Sequence, residues 1–254
     1  MTAGVCGEKL EGAIDVTIFC FTGTGNSLFA ARKIGGTLVS IPQVIDAPTE
    51  YADDVIGFVF PQYGMGLPKM VRSFAAQNKF VSEYAFAVSL YSYIRGGALT
   101  ELASLVPLDY GAKLKSPWNF IWAFGAPRDA EKSLRKCEAS LDKIAAEIGS
   151  RRSKAVKPST RVGSATKFFS DNKFKVSDAC VKCGLCADVC PAGNIEMRDK
   201  PEFLGKCEMC FACANLCPQS ALNSSKAMSK HRRYRNPAVA PSEIAAANNR
   251  RAGR

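Results

Sequence analysis

The chain has 254 residues, 47% of them hydrophobic and 22% charged, with a formal net charge of +11. That length has room for one full domain and one small one, and the apolar share is ordinary for a soluble protein with a core. Apolar runs such as 55–60 are of strand length, so no membrane-spanning helix is expected, and the first fifteen residues carry no apolar signal region.

In chain order, 13–21 (AIDVTIFCF) reads as a buried strand, rich in β-branched and aromatic residues. It runs into Thr22, Gly23, Thr24, Gly25, Asn26 and Ser27, and a helix begins at Leu28. Strand, glycine–hydroxyl loop and helix together suit a phosphate. Glycines let backbone N–H groups approach an anion, and the helix N-terminus adds its dipole. The P-loop lysine is missing, and position 28 is Leu where the dinucleotide fingerprint needs Gly or Ala. The loop resembles the FMN phosphate loop of flavodoxins. Taken alone, it also fits a strand–helix turn that binds nothing.

Further strands are expected at 54–60 and 84–90, and helices at 71–76, 98–106 and 128–149. This alternation predicts an α/β fold with a doubly wound parallel sheet. The last helix carries Leu134, Cys137, Leu141, Ile144 and Ile148 on one face, with Gly149 as its cap. Two loops fall at the carboxyl edge of such a sheet, where ligands bind. One holds Pro61, Tyr63, Gly64 and Gly66; the other holds Tyr91, Ser92, Tyr93, Gly96 and Gly97. Aromatic rings beside glycines suit a flat flavin. Tyr63 and Tyr91 are the candidates for ring contact, with Tyr93 and Trp118 behind them.

Eight of the eleven cysteines form two C-x2-C-x2-C-x3-C-P runs: Cys180, Cys183, Cys186, Cys190 and Cys207, Cys210, Cys213, Cys217. This is the bacterial pattern for two [4Fe–4S] clusters, in which the fourth cysteine of each run serves the other cluster. Cys180, Cys183, Cys186 and Cys217 are therefore expected at one cluster, and Cys207, Cys210, Cys213 and Cys190 at the other. The runs are offset by 27 residues, and the same offset relates Val176 to Phe203 and Ile195 to Leu222. That implies a pseudo-twofold unit with two matching apolar contacts. Structural zinc needs fewer ligands, and a disulfide framework needs export. Val181, Leu185, Val189, Phe211 and Leu216 are expected to keep water from the clusters. Cys20 and Cys137 read as core residues, and thiols left free for iron point to a reducing cytoplasm.

With both halves in view, 13–222 resembles the prokaryotic flavodoxin–ferredoxin fusion proteins. The resemblance implies a flavodoxin-like doubly wound sheet at 13–149 and a small α+β two-cluster ferredoxin-like domain at 175–225. It also implies FMN, two [4Fe–4S] clusters and electron transfer to or from a redox partner protein in anaerobic metabolism. Tyr91-Ser92-Tyr93-Ile94-Arg95 is bulkier than the family's third loop. The alternative is a flavin-dependent reductase of a quinone, nitro or unsaturated substrate; His231, the sole histidine, is not expected to be catalytic.

Charge marks what remains. Residues 150–177 and 226–254 each hold eight Lys/Arg against one acid, a surplus of +7 apiece, which leaves −3 for the rest. A basic linker (150–174) and a disordered, solvated tail (226–254) are expected. A third reading makes the tail an adaptor for nucleic acid, but no base-reading motif accompanies the charge and no nucleic-acid partner is expected. Oligomeric state is left open, a dimer included.

Overall fold

The computed structural model describes residues 15–122, 125–159 and 173–249. Cys6 and residues 160–172 of the expected linker lie outside the described residues. The first part runs β1 (Val16–Cys20), α1 (Asn26–Ile34), β2 (Thr37–Ser40), α2 (Ile41–Val44), β3 (Glu50–Ala52), β4 (Val55–Pro61), α3 (Lys69–Gln77), β5 (Lys79–Val81), β6 (Tyr84–Tyr91), α4 (Ala98–Leu102), β7 (Tyr110–Lys115) and α5 (Ala130–Gly149).

Five strands form one sheet in the order β2-β1-β4-β6-β7, every neighbour parallel. Counted within the sheet this is 2-1-3-4-5, an order compatible with a flavodoxin-like fold. Helix α1 packs on β1, β4 and α5, while α4 packs on β6 and β7. All eight residues of β6 are buried because helices cover both faces and strands flank both edges. Phe19, Phe58, Phe74, Phe80 and Tyr51 interlock beneath it, with Phe19 and Tyr51 centroids 4.6 Å apart. Each such ring pair contributes about 0.5–1.5 kcal/mol beyond its burial.

Helix α5 buries Leu134, Cys137, Leu141, Ile144 and Ile148 as its periodicity requires. Gly149 is its last residue rather than its cap; Arg151 takes the left-handed turn instead, at φ 49°. The described end of the linker, 151–159, lies along β7: Lys154 N–H donates to Asp109 O, and Gly111 N–H donates to Lys154 O.

The second part runs β8 (Lys175–Val176), α6 (Leu185–Asp188), β9 (Ile195–Met197), β10 (Pro201–Phe203), α7 (Ala212–Leu216) and β11 (Leu222–Asn223). Strand β8 pairs with β11 and β9 with β10, setting Val176 opposite Leu222 and Ile195 opposite Phe203. The 27-residue offset thus reappears as two equivalent antiparallel contacts. It extends to the backbone: positive φ occurs at Lys182 and Met209, Gly184 and Phe211, and Gly193 and Ser220, each pair 27 residues apart.

The two parts share one core. Val189, Ala192, Cys210, Ala212 and Leu216 pack in the same apolar cluster as β1, β4 and α1. Asn119 Nδ2 donates to Cys210 O at 3.1 Å, and Glu208 accepts from Met70 N–H at the start of α3.

The expectation of a disordered tail does not hold over 226–249. Helices α8 (Lys226–Ser229) and α9 (Pro241–Asn248) form there, and Met228, Tyr234, Val239 and Ile244 are buried. Few large apolar residues are present, but each is fully used, and buried asparagines supply the remaining bonds.

Candidate functional site

Each cysteine run is a tight loop feeding a short helix. A left-handed residue three places before α6 or α7 and another at its N-cap bend each run into a tight loop. Cys180, Cys183, Cys186 and Cys217 line one small cavity, while Cys190, Cys207, Cys210 and Cys213 line a second. Among the described residues, no three His, Cys, Asp or Glu side chains close on a single metal ion. A cube of four irons and four sulfides is larger than an ion and needs its thiols further apart.

Backbone N–H groups point at sulfur in equivalent places. Asn194 N–H donates to Cys190 Sγ and Ala221 N–H to Cys217 Sγ, each at 3.3 Å. Met209 N–H donates to Cys207 Sγ at 3.3 Å. Such bonds tune a cluster's potential. Burial pushes the Cys186 thiol up to about 12 and drives Cys210 and Cys213 well above the usual thiol range. A thiolate there needs a cation to hold it, which is what iron supplies. The same burial pushes the core thiols Cys20 and Cys137 up to about 12, the nearby Arg32 only partly offsetting it at Cys20.

The two cages differ in surroundings. Cys210 is buried in the shared core, whereas Cys183 is exposed and its neighbour Val181 is 60% exposed. Val181 lines the first cage but is itself largely exposed, so it covers that cage only in part. Val189, Phe211 and Leu216 are buried, and Leu185 is half-buried.

A third, larger cavity of about 390 Å³ opens at the carboxyl ends of β1, β4 and β6. Of the residues expected to hold a flavin, Thr22, Gly23, Thr24, Asn26, Ser27, Pro61, Tyr63, Gly64, Tyr91, Ser92 and Tyr93 line it, joined by Trp118. Gly25, Gly66, Gly96 and Gly97 do not. Gly25, at φ 97°, backs onto the C-terminal segment, where an added Cβ would lie 3.1 Å from Val239. Gly66 closes a bridge with Tyr63, and the N–H groups of Gly96 and Gly97 bind Gln62 Oε1 and Met65 O. These glycines shape the loops rather than face the cavity.

Asn26 lines the cavity, but its amide is spent within the protein. It donates to Pro117 O and accepts from Tyr234 Oη at 2.7 Å and Asn236 Nδ2 at 3.1 Å. Asn236 N–H also donates to Thr24 O, and Asn248 Nδ2 donates both to Thr22 O and to Val189 O. The C-terminal segment thus clasps the 22–27 loop to the second part.

Met209 and Phe211 complete the cavity wall, and Phe211 also lines the second cysteine cage. Its left-handed backbone is a conformation that bulky residues rarely adopt. Ring contacts to Phe120 and Phe174 hold it there.

Residues 172–230 match the 4Fe-4S dicluster domain. No curated protein and no solved structure matches the chain. The dicluster domain supports iron–sulfur electron transfer, with [4Fe–4S] clusters in the cysteine-rich part. No helix among the described residues is long and apolar enough to cross a membrane.

Sequence reasoning missed Gln62, Met65, Ser116, Pro117, Asn119 and Phe120, which also line the cavity. Most follow β7, a strand it did not anticipate. The 27-residue offset held a usable clue to Phe211: it stands where the first run has Gly184, so its ring had to be there for a reason other than the turn.

Proposed function

We propose that the protein is an electron carrier that holds FMN in the large cavity and one [4Fe–4S] cluster in each cysteine cage. The observation that carries this reading is the wall shared by cavity and second cage, with Phe211 facing both. The fit to FMN rests on three further features. The cavity sits where the strand order reverses, the usual ligand site of such sheets. The first turn of α1 offers backbone N–H groups without intrahelical partners, beside Thr24 and Ser27. Tyr63 Oη is buried without a partner among the described residues, and a Cβ on Gly23 would come within 2.8 Å of it.

FMN, when bound, converts between two-electron and one-electron exchange. The chain's own residues then bind and isolate. Tyr91, Tyr93 and Trp118 offer flat apolar surface to a ring system. Tyr93 and Trp118 already pack at 4.6 Å, and Arg95 Nε holds the Tyr91 hydroxyl at 2.9 Å. The 22–27 loop receives the phosphate. Phe211 and Met209, both buried, exclude water on the cavity side of the second cage. The second cage takes Cys190, Cys207, Cys210 and Cys213 as ligands and faces the cavity. The first takes Cys180, Cys183, Cys186 and Cys217 and meets a redox partner protein near Val181. Tyrosines 63, 91 and 93 are the only ionisable side chains among the described residues lining the cavity, so a reductase working there would take its proton from one of them.

Anaerobic purification with iron, sulfide and released flavin quantified, followed by stepwise reductive titration, tests the reading. About eight iron and one FMN per chain, both bleaching in the titration, are expected. Eight iron without flavin would overturn the FMN assignment and leave the sheet as a docking module.

A further inference from the structure

Arg233 lies three residues beyond the matched dicluster domain, in the segment that composition alone marks as a solvated tail. Its guanidinium is folded inward. Nη2 donates to Asn223 Oδ1 and, at 3.5 Å, to Ser220 O, on the loop whose N–H groups bind Cys217. The next residue, Tyr234, donates its N–H to Asn215 Oδ1 on α7, the helix that carries Cys213. Arg233 is thereby held between the fourth thiol of the first cage and a thiol of the second. Its Nε and Nη1 are buried and have no partner among the described residues. Burial lowers its pKa, and the groups opposing that shift are Cys217 and Cys213.

A buried guanidinium with two unused donors is costly unless anions face it. Two four-thiolate clusters supply them. We propose that Arg233 is a positioning and charge-tuning residue shared by both clusters: its Nε and Nη1 donate to cluster or cysteine sulfur, and its charge favours the reduced clusters. This rests on the cysteine cages holding [4Fe–4S] clusters and is independent of FMN. Since each cluster gains one negative charge when it takes one electron from a reductant, a nearby cation makes that gain easier. Because Tyr234 and Asn236 continue from Arg233 to the 22–27 loop, the same residue ties cluster assembly to the clasp over that loop.

The test is a spectroelectrochemical titration of the full chain with dithionite as reductant, comparing the parent with Arg233→Met and Arg233→Lys, iron being counted in each. With about eight iron retained, Arg233→Met should make at least one cluster about tenfold harder to reduce, or about 59 mV lower for one electron. Arg233→Lys, which keeps the charge but loses the planar fork, should fall between Met and parent. Potentials of Arg233→Met within about twofold of the parent overturn the proposal. If Arg233→Met does not hold its iron, Arg233→Lys decides, and potentials equal to the parent's overturn it. A parent chain with no iron would instead refute the cluster reading on which it rests.

Discussion

The two cysteine cages share spacing, turn geometry and sulfur hydrogen bonds, yet one faces inward and the other outward. The second cage packs into the sheet's core and shares Phe211 with the large cavity. The first leaves Cys183 exposed beside Val181. Duplication supplied two equal cages; the sheet covered one of them. On the electron-carrier function proposed above, position within the fold, more than ligand set, makes one cage the inner relay and the other the outer exit.

The largest expected effect separates the cages by their ligands. Cys183→Ala should reduce iron from about eight to about four per chain and leave flavin bound, since that thiol touches only its own cage. Cys210→Ala should lose more than half the iron, because its thiol is buried in the core shared with the sheet, and should leave the flavin bound, because the carbonyl that braces Asn119 is kept. Iron and flavin analysis of both variants checks this. Equal losses would erase the distinction between inner and outer cage.

A middle-sized effect tests the shared wall. Phe211→Gly restores the residue type found at Gly184 and relieves about 1 kcal/mol of left-handed strain. It also removes a buried ring worth about 3–5 kcal/mol. Urea unfolding should show a net loss of about 2–4 kcal/mol. Flash reduction of the flavin should show altered transfer to the clusters, while transfer from clusters to an external acceptor is unchanged.

The smallest effect lies at the outer cage. Val181→Ser should change stability by no more than about 0.5 kcal/mol, as expected for an exposed residue. Its signature is a slower rate of reduction of a protein acceptor, read by stopped flow. An unchanged rate would move the exit away from this surface.

Much of this arrangement was legible in the sequence because it depends on local spacing. The cysteine runs, the existence of two matching apolar contacts among Val176, Ile195, Phe203 and Leu222, and the β1–loop–α1 unit all follow from residues close together or exactly repeated in sequence; which of the four pair was shown by the strands. Strands β2 and β7 were not legible. Thr37–Ser40 is short and half-buried, and Tyr110–Lys115 contains a glycine and two lysines at the sheet's edge. The C-terminal segment escaped for another reason. Its charge and small residues average to a tail, whereas its fold rests on a few buried side chains whose partners are distant in sequence. The Ala240-Pro-Ser-Glu243 start of α9 was the available signal: Pro241 opens the helix and Glu243 accepts from Ala240 N–H at 2.6 Å.

That clasp sets a timetable for the protein's maturation. Tyr234 and Asn248 reach Asn26 and Thr22 across 208 and 226 residues of chain. Throughout synthesis of the sheet and both cysteine runs, the 22–27 loop therefore stands open. A cofactor can enter during that interval without any later door being unlatched, and contacts so distant in sequence close slowly. On the FMN reading proposed above, loading of the loop precedes its locking, in the order in which the chain is made.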